Sequence, residues 1–329
     1  MRGMVLAILK FLAISVAITG AIALILIASE RPGRLSGTAG LDFSGPLSAA
    51  GTPAQPQETV PLRDGFGMQV RSYDSGRESA PLLVLVHGSG WHGLQFDALA
   101  RRLSARADVL VPDLRGHGAQ PGKRGDLAYI GQFEDDLADL INARRKPGQK
   151  LILGGHSSGG GLVVRFAGGP YGDMLDGAVL LAPFLKHNAP TTRPNSGGWA
   201  QPLTRRIIGL SILNTFRITA LNHLTVMQFN MPQAVLDGPL GDTATTAYSY
   251  RLNTSYAPRG DYLADVAALP PFLLVAGEAD EAFDAAAYQP VMQAVTDKGR
   301  YLLVPDTGHL AIVDAPETAN AIEGFLDDF

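Results

Sequence analysis

The chain has no cysteine in 329 residues. That absence excludes disulfide scaffolds, thiolate zinc sites, iron–sulfur clusters and cysteine nucleophiles together. It leaves the redox compartment open, because a cysteine-free chain tolerates either. Charge is scarce as well: Asp, Glu, Lys and Arg make up 18% of the residues, against about 25% in an ordinary soluble domain. With 46% hydrophobic residues, this is no disordered or solvating protein. The formal net charge of −4 excludes a nucleic-acid binder held by overall charge. The seven histidines show no H-x-x-x-H spacing, so no metal is implied. No G-x-G-x-x-G follows the first strand, so no nucleotide cofactor is implied either. The length suits one large domain or two small ones, with ample core.

The mean hydropathy of +0.09 is oily for a soluble enzyme. Much of the oil lies at the front. Phe11 to Ser29 is nineteen residues without a charge, enough helix to cross a hydrocarbon core of about 30 Å. Signal peptides have shorter apolar regions and small residues before the cut. Here cleavage after Ala28 puts Leu26 at −3, and cleavage after Ser29 puts Ile27 there. Residues 1–30 are therefore read as an uncleaved transmembrane signal-anchor, with a cleaved signal peptide and a secreted body as the alternative. The short basic start with Arg2 and Lys10 favours N-inside, which puts the body on the extracytoplasmic side. Residues 31–58, rich in Gly, Pro, Ser and Ala, read as a flexible linker. Within it, Leu41-Asp42-Phe43 is an apolar patch able to dock on the body.

From residue 59 to 329 short apolar runs alternate with amphipathic stretches. The runs are Leu82–Val86, Val109–Val111, Leu151–Leu153, Ala178–Leu181, Phe272–Val275 and Tyr301–Val304. Such runs suit strands buried on both faces. Phe96, Leu99 and Leu103, then Phe133, Leu137, Leu140 and Ile141, recur at helical spacing. The pattern predicts an α/β fold, a mostly parallel sheet wrapped by helices. It breaks between Leu181 and Phe272, and an inserted helical cap is expected at about 185–265, too long for a bare loop. Apolar residues from Ile207 to Met231 predict helix there. From Gly177 to Leu236 there is no Asp or Glu, while Lys186, Arg193, Arg205, Arg206 and Arg217 are present. This basic segment reads either as a face paired with acidic neighbours or as a lid suited to an anionic lipid surface.

The sharpest local signal is Gly155-His156-Ser157-Ser158-Gly159, the form G-x-S-x-G, after an apolar strand and before a small-residue helix. A serine on so sharp a turn projects its hydroxyl into a cleft, and its neighbours must be small. Ser158 offers a backbone N–H at a helix N-terminus, where oxyanion charge is stabilised. A serine nucleophile needs a base. In this strand–turn–helix setting the partners follow in the order Ser, acid, His. Of the histidines, His309 alone follows the last acid-bearing strand. The acid is expected after Phe272–Ala276, with Asp280 first and Asp284 and Glu278 in reserve. A second oxyanion donor is expected from His87-Gly88-Ser89-Gly90, with the N–H of Ser89 assigned and that of Gly90 as alternative. His87, Asp113 and Arg115 are read as structural ties.

Taken together, these residues resemble the α/β-hydrolase fold, and several resemble its monoacylglycerol lipase and lysophospholipase branch. His87-Gly88 followed by His92 and Phe96 is similar to that branch's oxyanion loop. Asp113-Leu114-Arg115-Gly116-His117-Gly118 and Gly122-Lys123-Arg124-Gly125 are similar to its D-x-R-G-H-G…G-x-R-G run, and Gly155–Gly160 to its G-H-S-M-G-G. Ser158 stands where the branch has methionine, and Gln120 where it often has serine. The resemblance runs from about Val60 to the C-terminus, the cap apart. It implies a serine hydrolase of lipid-like acyl esters with catalytic Ser157, Asp280 and His309, oxyanion donors Ser89 and Ser158, no metal and no cofactor. The partners implied are a small lipid-like ester and the membrane. Peptidase or amidase chemistry on the same fold is the first alternative. A non-catalytic, membrane-tethered binding protein is the second.

Overall fold

The computed structural model describes residues 2–35, 40–44 and 54–329. Its centre is an eight-stranded sheet in the order β1-β2-β4-β3-β5-β6-β10-β11. The strands are β1 (Gln57–Pro61), β2 (Gly67–Tyr73), β3 (Leu82–Val86), β4 (Asp108–Asp113), β5 (Leu151–His156), β6 (Gly177–Leu181), β10 (Phe272–Gly277) and β11 (Gly299–Val304). From β4 to β11 every pairing is parallel. The six apolar runs expected as strands are β3, β4, β5, β6, β10 and β11. β3, β5, β6 and β10 are buried along their whole length, which is why they show no alternation. β1 and β2 form an antiparallel edge. The sequence hides it because β2 buries polar Gln69 and Arg71, which donate to Thr59 Oγ1 and Asp113 Oδ1.

Helices cover both faces. On one, α3 (Gln132–Arg144) and α4 (Ser158–Ala167) supply Phe133, Leu137, Leu162 and Phe166 to the larger core. On the other, α2 (Asp97–Leu103) and α6 (Pro316–Leu326) supply Leu99, Leu103, Ile322 and Phe325. Each such side chain, wholly withdrawn from water, stabilises the fold by about 1.5–3 kcal/mol.

The insertion between β6 and β10 differs from its expectation. It carries a three-stranded antiparallel sheet of β7 (Ala200–Pro202), β8 (Thr225–Phe229) and β9 (Ala247–Ser249) beside α5 (Thr204–Thr215). The helix predicted over Ile207–Met231 stops at Thr215, and its second half is a turn and β8. The Asn214 and Asn222 amides donate to each other's carbonyl oxygens at 2.7 and 2.9 Å, closing that turn. Asparagine side chains offer such local alternatives to helix continuation. Three of the five cations here are held by carbonyl oxygens rather than acids. Lys186 Nζ donates to Arg259 at 2.7 Å, Arg193 Nε to Phe283 at 3.1 Å, and Arg206 Nη1 to Thr225 at 2.9 Å.

The N-terminal helix α1 (Arg2–Ala28) is the one helix among the described residues long and apolar enough to cross a membrane. Most of its large side chains are exposed, Phe11 at 70% and Ile25 at 66%. Its C-terminal end lies on α5. Ala23 and Ile27 are buried there, and a Cβ on Gly209 would lie 2.6 Å from the Ala23 carbonyl oxygen. The Glu30 carboxylate accepts the N–H groups of Arg205 at 2.7 Å and Arg206 at 3.2 Å. It thereby caps the positive end of the α5 dipole. Next, Gly33 N–H donates to Gln228 Oε1 at 2.9 Å, and Gln228 Nε2 donates back to the Gly33 carbonyl at 2.8 Å.

Residues 36–39 and 45–53 of the proposed linker lie outside the described residues. The described parts contact the body. Gln55 N–H donates to Asp97 Oδ1 at 2.9 Å, and β1 already starts at Gln57. The contact of α1 with α5 gives a first test. Gly209→Leu overpacks it and is expected to cost about 1–3 kcal/mol. Thermal melts of the full chain in detergent should show a lower Tm than wild type, and an unchanged Tm would count against the contact.

Candidate active site

Ser157 follows β5 directly, with φ 55° and ψ −120°, a backbone rarely adopted by a non-glycine residue. Its N–H donates to Leu181 of β6 at 2.9 Å. The turn is possible because Gly155 and Gly159 have no side chains. A Cβ on Gly155 would collide with Gly159, and one on Gly159 with the Val86 carbonyl. The chain then enters α4 at Ser158, whose N–H lies at the helix's positive end.

Asp280 follows β10 and His309 follows β11, both strands ending on the same edge of the sheet as β5. His309 Nδ1 donates to Asp280 Oδ2 at 2.7 Å, with both side chains at 1% exposure or less. Asp280 Oδ1 accepts the N–H groups of Ala282 and Phe283, each at 2.8 Å. Burial alone would raise the Asp280 pKa, but His309 and these two amides outweigh it and hold the carboxyl below its ordinary range. The reserve acids Glu278 and Asp284 are exposed. His309, Ser157 and His156 line one cleft.

Two supports of His309 were not foreseen from the sequence. Glu281 Oε2 accepts the His309 backbone N–H at 2.7 Å. His156 Nε2 donates to the His309 carbonyl at 2.9 Å. Glu281 sits in the expected acid loop, but only the fold brings it under residue 309.

The loop after β3 lies against the elbow: a Cβ on Gly88 would be 3.2 Å from Ser157 Cβ. Its three amides have different fates. Gly88 N–H donates to Gln95 Oε1 at 3.4 Å, and Gly90 N–H donates to Tyr248 Oη at 2.7 Å. No acceptor takes the Ser89 N–H among the described residues. The alternative donor Gly90 is thus committed elsewhere. Tyr248 Oη in turn donates to His117 Nε2 at 2.6 Å. That tyrosine belongs to the insertion, whose fold the sequence did not reveal.

The structural ties are as expected. Leu114 N–H donates to His87 Nε2 at 3.1 Å, and Gly93 N–H to Asp113 Oδ1 at 2.9 Å. Arg115 Nε donates to Asp136 at 2.9 Å. The cleft's remaining lining is largely apolar and includes Trp91, Leu94, Trp199, Leu240, Leu310 and Val313, with Leu41 and Phe43 from the patch after α1. Among the described residues no group of three His, Asp or Glu side chains could hold a metal ion.

The family model described as "Serine aminopeptidase, S33" matches residues 77–315. A monoacylglycerol lipase of Mycolicibacterium smegmatis is 36% identical over 106 residues, 31% of this chain and 37% of that protein. Matches to mycobacterial proteins, 30% identical over 89 residues, span only 25% of those relatives' length. Among solved structures, a soluble variant of the Saccharomyces cerevisiae monoglyceride lipase with a substrate analogue has a TM-score of 0.64 at 17% identity. It covers 84% of this chain and 96% of its own. A structure described as a membrane phospholipase A and bacterial virulence factor has a TM-score of 0.55 at 21% identity, covering 100% of this chain and 99% of its own. At these identities the structures establish a shared α/β-hydrolase fold.

Besides His309, four histidines around the site are buried: His87, His92, His117 and His156. Burial, the largest cause in each, lowers all four pKa values, His92 to about 4 and His156 to about 3. An unfolded imidazole titrates near 6.5. Below that pH the unfolded chain binds more protons than the folded one, so stability falls with acid by up to about 1.4 kcal/mol per pH unit per histidine. Thermal melts should show a flat Tm between pH 7 and 8 and a steep decline from about 6.5 down to 4.5. A level profile from pH 7 to 5 would contradict the burial of these rings as neutral groups.

Proposed function

This chain belongs to the serine aminopeptidase S33 family of α/β-hydrolases, and on that premise we propose that it is a membrane-anchored serine hydrolase that cleaves lipid-like carboxylic esters through an acyl-enzyme. The observation that carries the reading is the 2.7 Å bond from His309 Nδ1 to buried Asp280, on the cleft into which the Ser157 elbow opens.

In this mechanism Ser157 Oγ attacks the acyl carbonyl while His309 Nε2 takes its proton. Asp280 keeps the Nδ1 proton in place and stabilises the imidazolium. The N–H groups of Ser89 and Ser158 hold the oxyanion of the tetrahedral intermediate. His309 then protonates the departing alcohol. A water that has given its proton to His309 attacks the acyl-enzyme, and the acid leaves as Ser157 recovers its proton.

An apolar acyl chain is favoured by the Trp, Leu and Val lining of the cleft. A membrane setting is supported by the exposed apolar surface of α1, and by the whole-chain likeness to the structure described as a membrane phospholipase A. We place the body on the extracytoplasmic side, with residues 1–30 as anchor rather than cleaved signal. The family description favours one competitor, aminopeptidase chemistry on the same residues.

Ser157→Ala should abolish both turnover of p-nitrophenyl esters and labelling by a fluorophosphonate probe. Asp280→Asn should lower kcat by about 10³–10⁴ through the wrong histidine tautomer. A panel of monoacylglycerols, lysophospholipids and aminoacyl amides decides the substrate class. Turnover confined to the amides would replace the esterase reading, and undiminished labelling of Ser157→Ala would remove that residue from its role.

A further inference from the structure

Wild-type tryptophan occurs twice in this chain, at Trp91 and Trp199, and both residues line the cleft. Between them sits Phe43, which arrives from the segment that leaves α1 and is only 6% exposed. Its ring centroid is 6.4 Å from that of Trp91, at 72°, and 5.5 Å from that of Trp199, at 41°. These are the edge-on and tilted arrangements that aromatic rings prefer. Gly40, at φ 131°, brings this segment against the backbone of Trp199, where a Cβ would lie 3.2 Å from Trp199 Cα. Leu41 faces the same cleft.

The segment is fastened to the chemistry by one carboxylate. Asp42 N–H donates to Glu281 Oε1 at 3.3 Å, while Glu281 Oε2 accepts the N–H of His309 at 2.7 Å. On the other side, Trp199 Nε1 donates to Ser89 Oγ at 3.3 Å. The wall made by Phe43 and Trp199 therefore connects to both the base and the oxyanion loop. With Leu240 and Leu310 it lines the same cleft as Ser157.

We propose that Leu41 and Phe43 complete the acyl-chain site and set the chain length it accepts. The proposal rests on the ester-hydrolase reading above and deepens it. A saturated chain lying along Trp91 and Trp199 meets Phe43 as a side wall, and each methylene that fits or clashes in such a site changes discrimination by about 10–200-fold.

The test uses the full chain in detergent with p-nitrophenyl esters of two to sixteen acyl carbons. Phe43→Ala should move the preferred length by two or more carbons, with the change in KM more than in kcat, while fluorophosphonate labelling of Ser157 persists. Phe43→Leu, which keeps an apolar wall and the Tm, should move it less. The second readout needs no turnover. In the Ser157→Ala chain, 1-O-hexadecylglycerol, an unhydrolysable ether, should change the emission of the two tryptophans, and adding Phe43→Ala should weaken its Kd at least fivefold. An unaltered length profile and an unaltered ether Kd would overturn the proposal. A rise of equal size at every chain length would also overturn it, since that marks a plug and not a wall. Ether binding with no labelling of the wild-type chain keeps the apolar site and discards the hydrolase reading.

Discussion

At φ 55° and ψ −120°, Ser157 occupies a backbone region that a side-chain-bearing residue holds only when its surroundings force it there. The forcing comes from the approach of β5, β3 and α4. Gly155 and Gly159 let the strand, the helix and the Val86 carbonyl meet with no Cβ between them. The N–H of Ser157 is taken by Leu181 on the neighbouring strand, which fixes the turn to the sheet. Once that crossing exists, the positive end of α4 and the loop after β3 lie on one side of the serine. The ends of β10 and β11 lie on the other. The central strands β3, β5, β6 and β10, buried along their length, are thus the source of precision at the site: strands buried on both faces have little freedom to shift register.

Around this turn the polar groups are satisfied in chains rather than singly. Asp280 accepts from His309, Ala282 and Phe283; His309 is held through its backbone by Glu281 and His156. Gly90 reaches His117 through Tyr248. Each link leaves its neighbour one orientation, which is how a buried network gains rigidity. The arrangement depends on neutral histidines. Burial keeps His117 and His156 uncharged, so each can accept at one nitrogen and donate at the other. A proton on either would break a link in the chain.

The sequence disclosed those features that local chemistry dictates. Six apolar runs became strands, and in β3, β5, β6 and β10 burial on both faces erases alternation. Ser157, Asp280 and His309 could be proposed together because a strained turn and a fixed chain order restrict the candidates; the structure pairs His309 with Asp280 and puts His309 and Ser157 on one cleft. Features made by tertiary contact stayed hidden. Glu281 is one acid among several near Asp280 until the fold brings it under His309. Tyr248 lies in an insertion whose hydrophobic spacing matched a helix, although Asn214 and Asn222 close a turn and the next residues pair as β8. β2 conceals itself by burying Gln69 and Arg71. The basic run from Gly177 to Leu236 does not find acidic partners as a set. Lys186, Arg193 and Arg206 end on carbonyl oxygens, a partner that no count of charges registers.

The contacts of the N-terminal region fall on the insertion and on the cleft. Glu30 caps α5 at Arg205 and Arg206, and Gly33 bonds to Gln228 of β8. β8 pairs with β7, whose first residue, Ala200, follows Trp199. The later contact, at Phe43, is with Trp199 itself. Trp199 is thus packed by Gly40 and Phe43 of the segment that follows α1, while its indole N–H donates to Ser89 Oγ beside the nucleophile. Were α1 only a tether, neither contact would be needed, because a flexible linker of this length localises a domain without touching it. Ala23, Ile27, Glu30, Gly33, Leu41 and Phe43 instead form a row of specific packing and hydrogen bonds against the insertion and the cleft. The apolar helix thus packs on the insertion through α5, and the segment after it packs on the cleft through Trp199, which lies one residue before β7 of that same insertion.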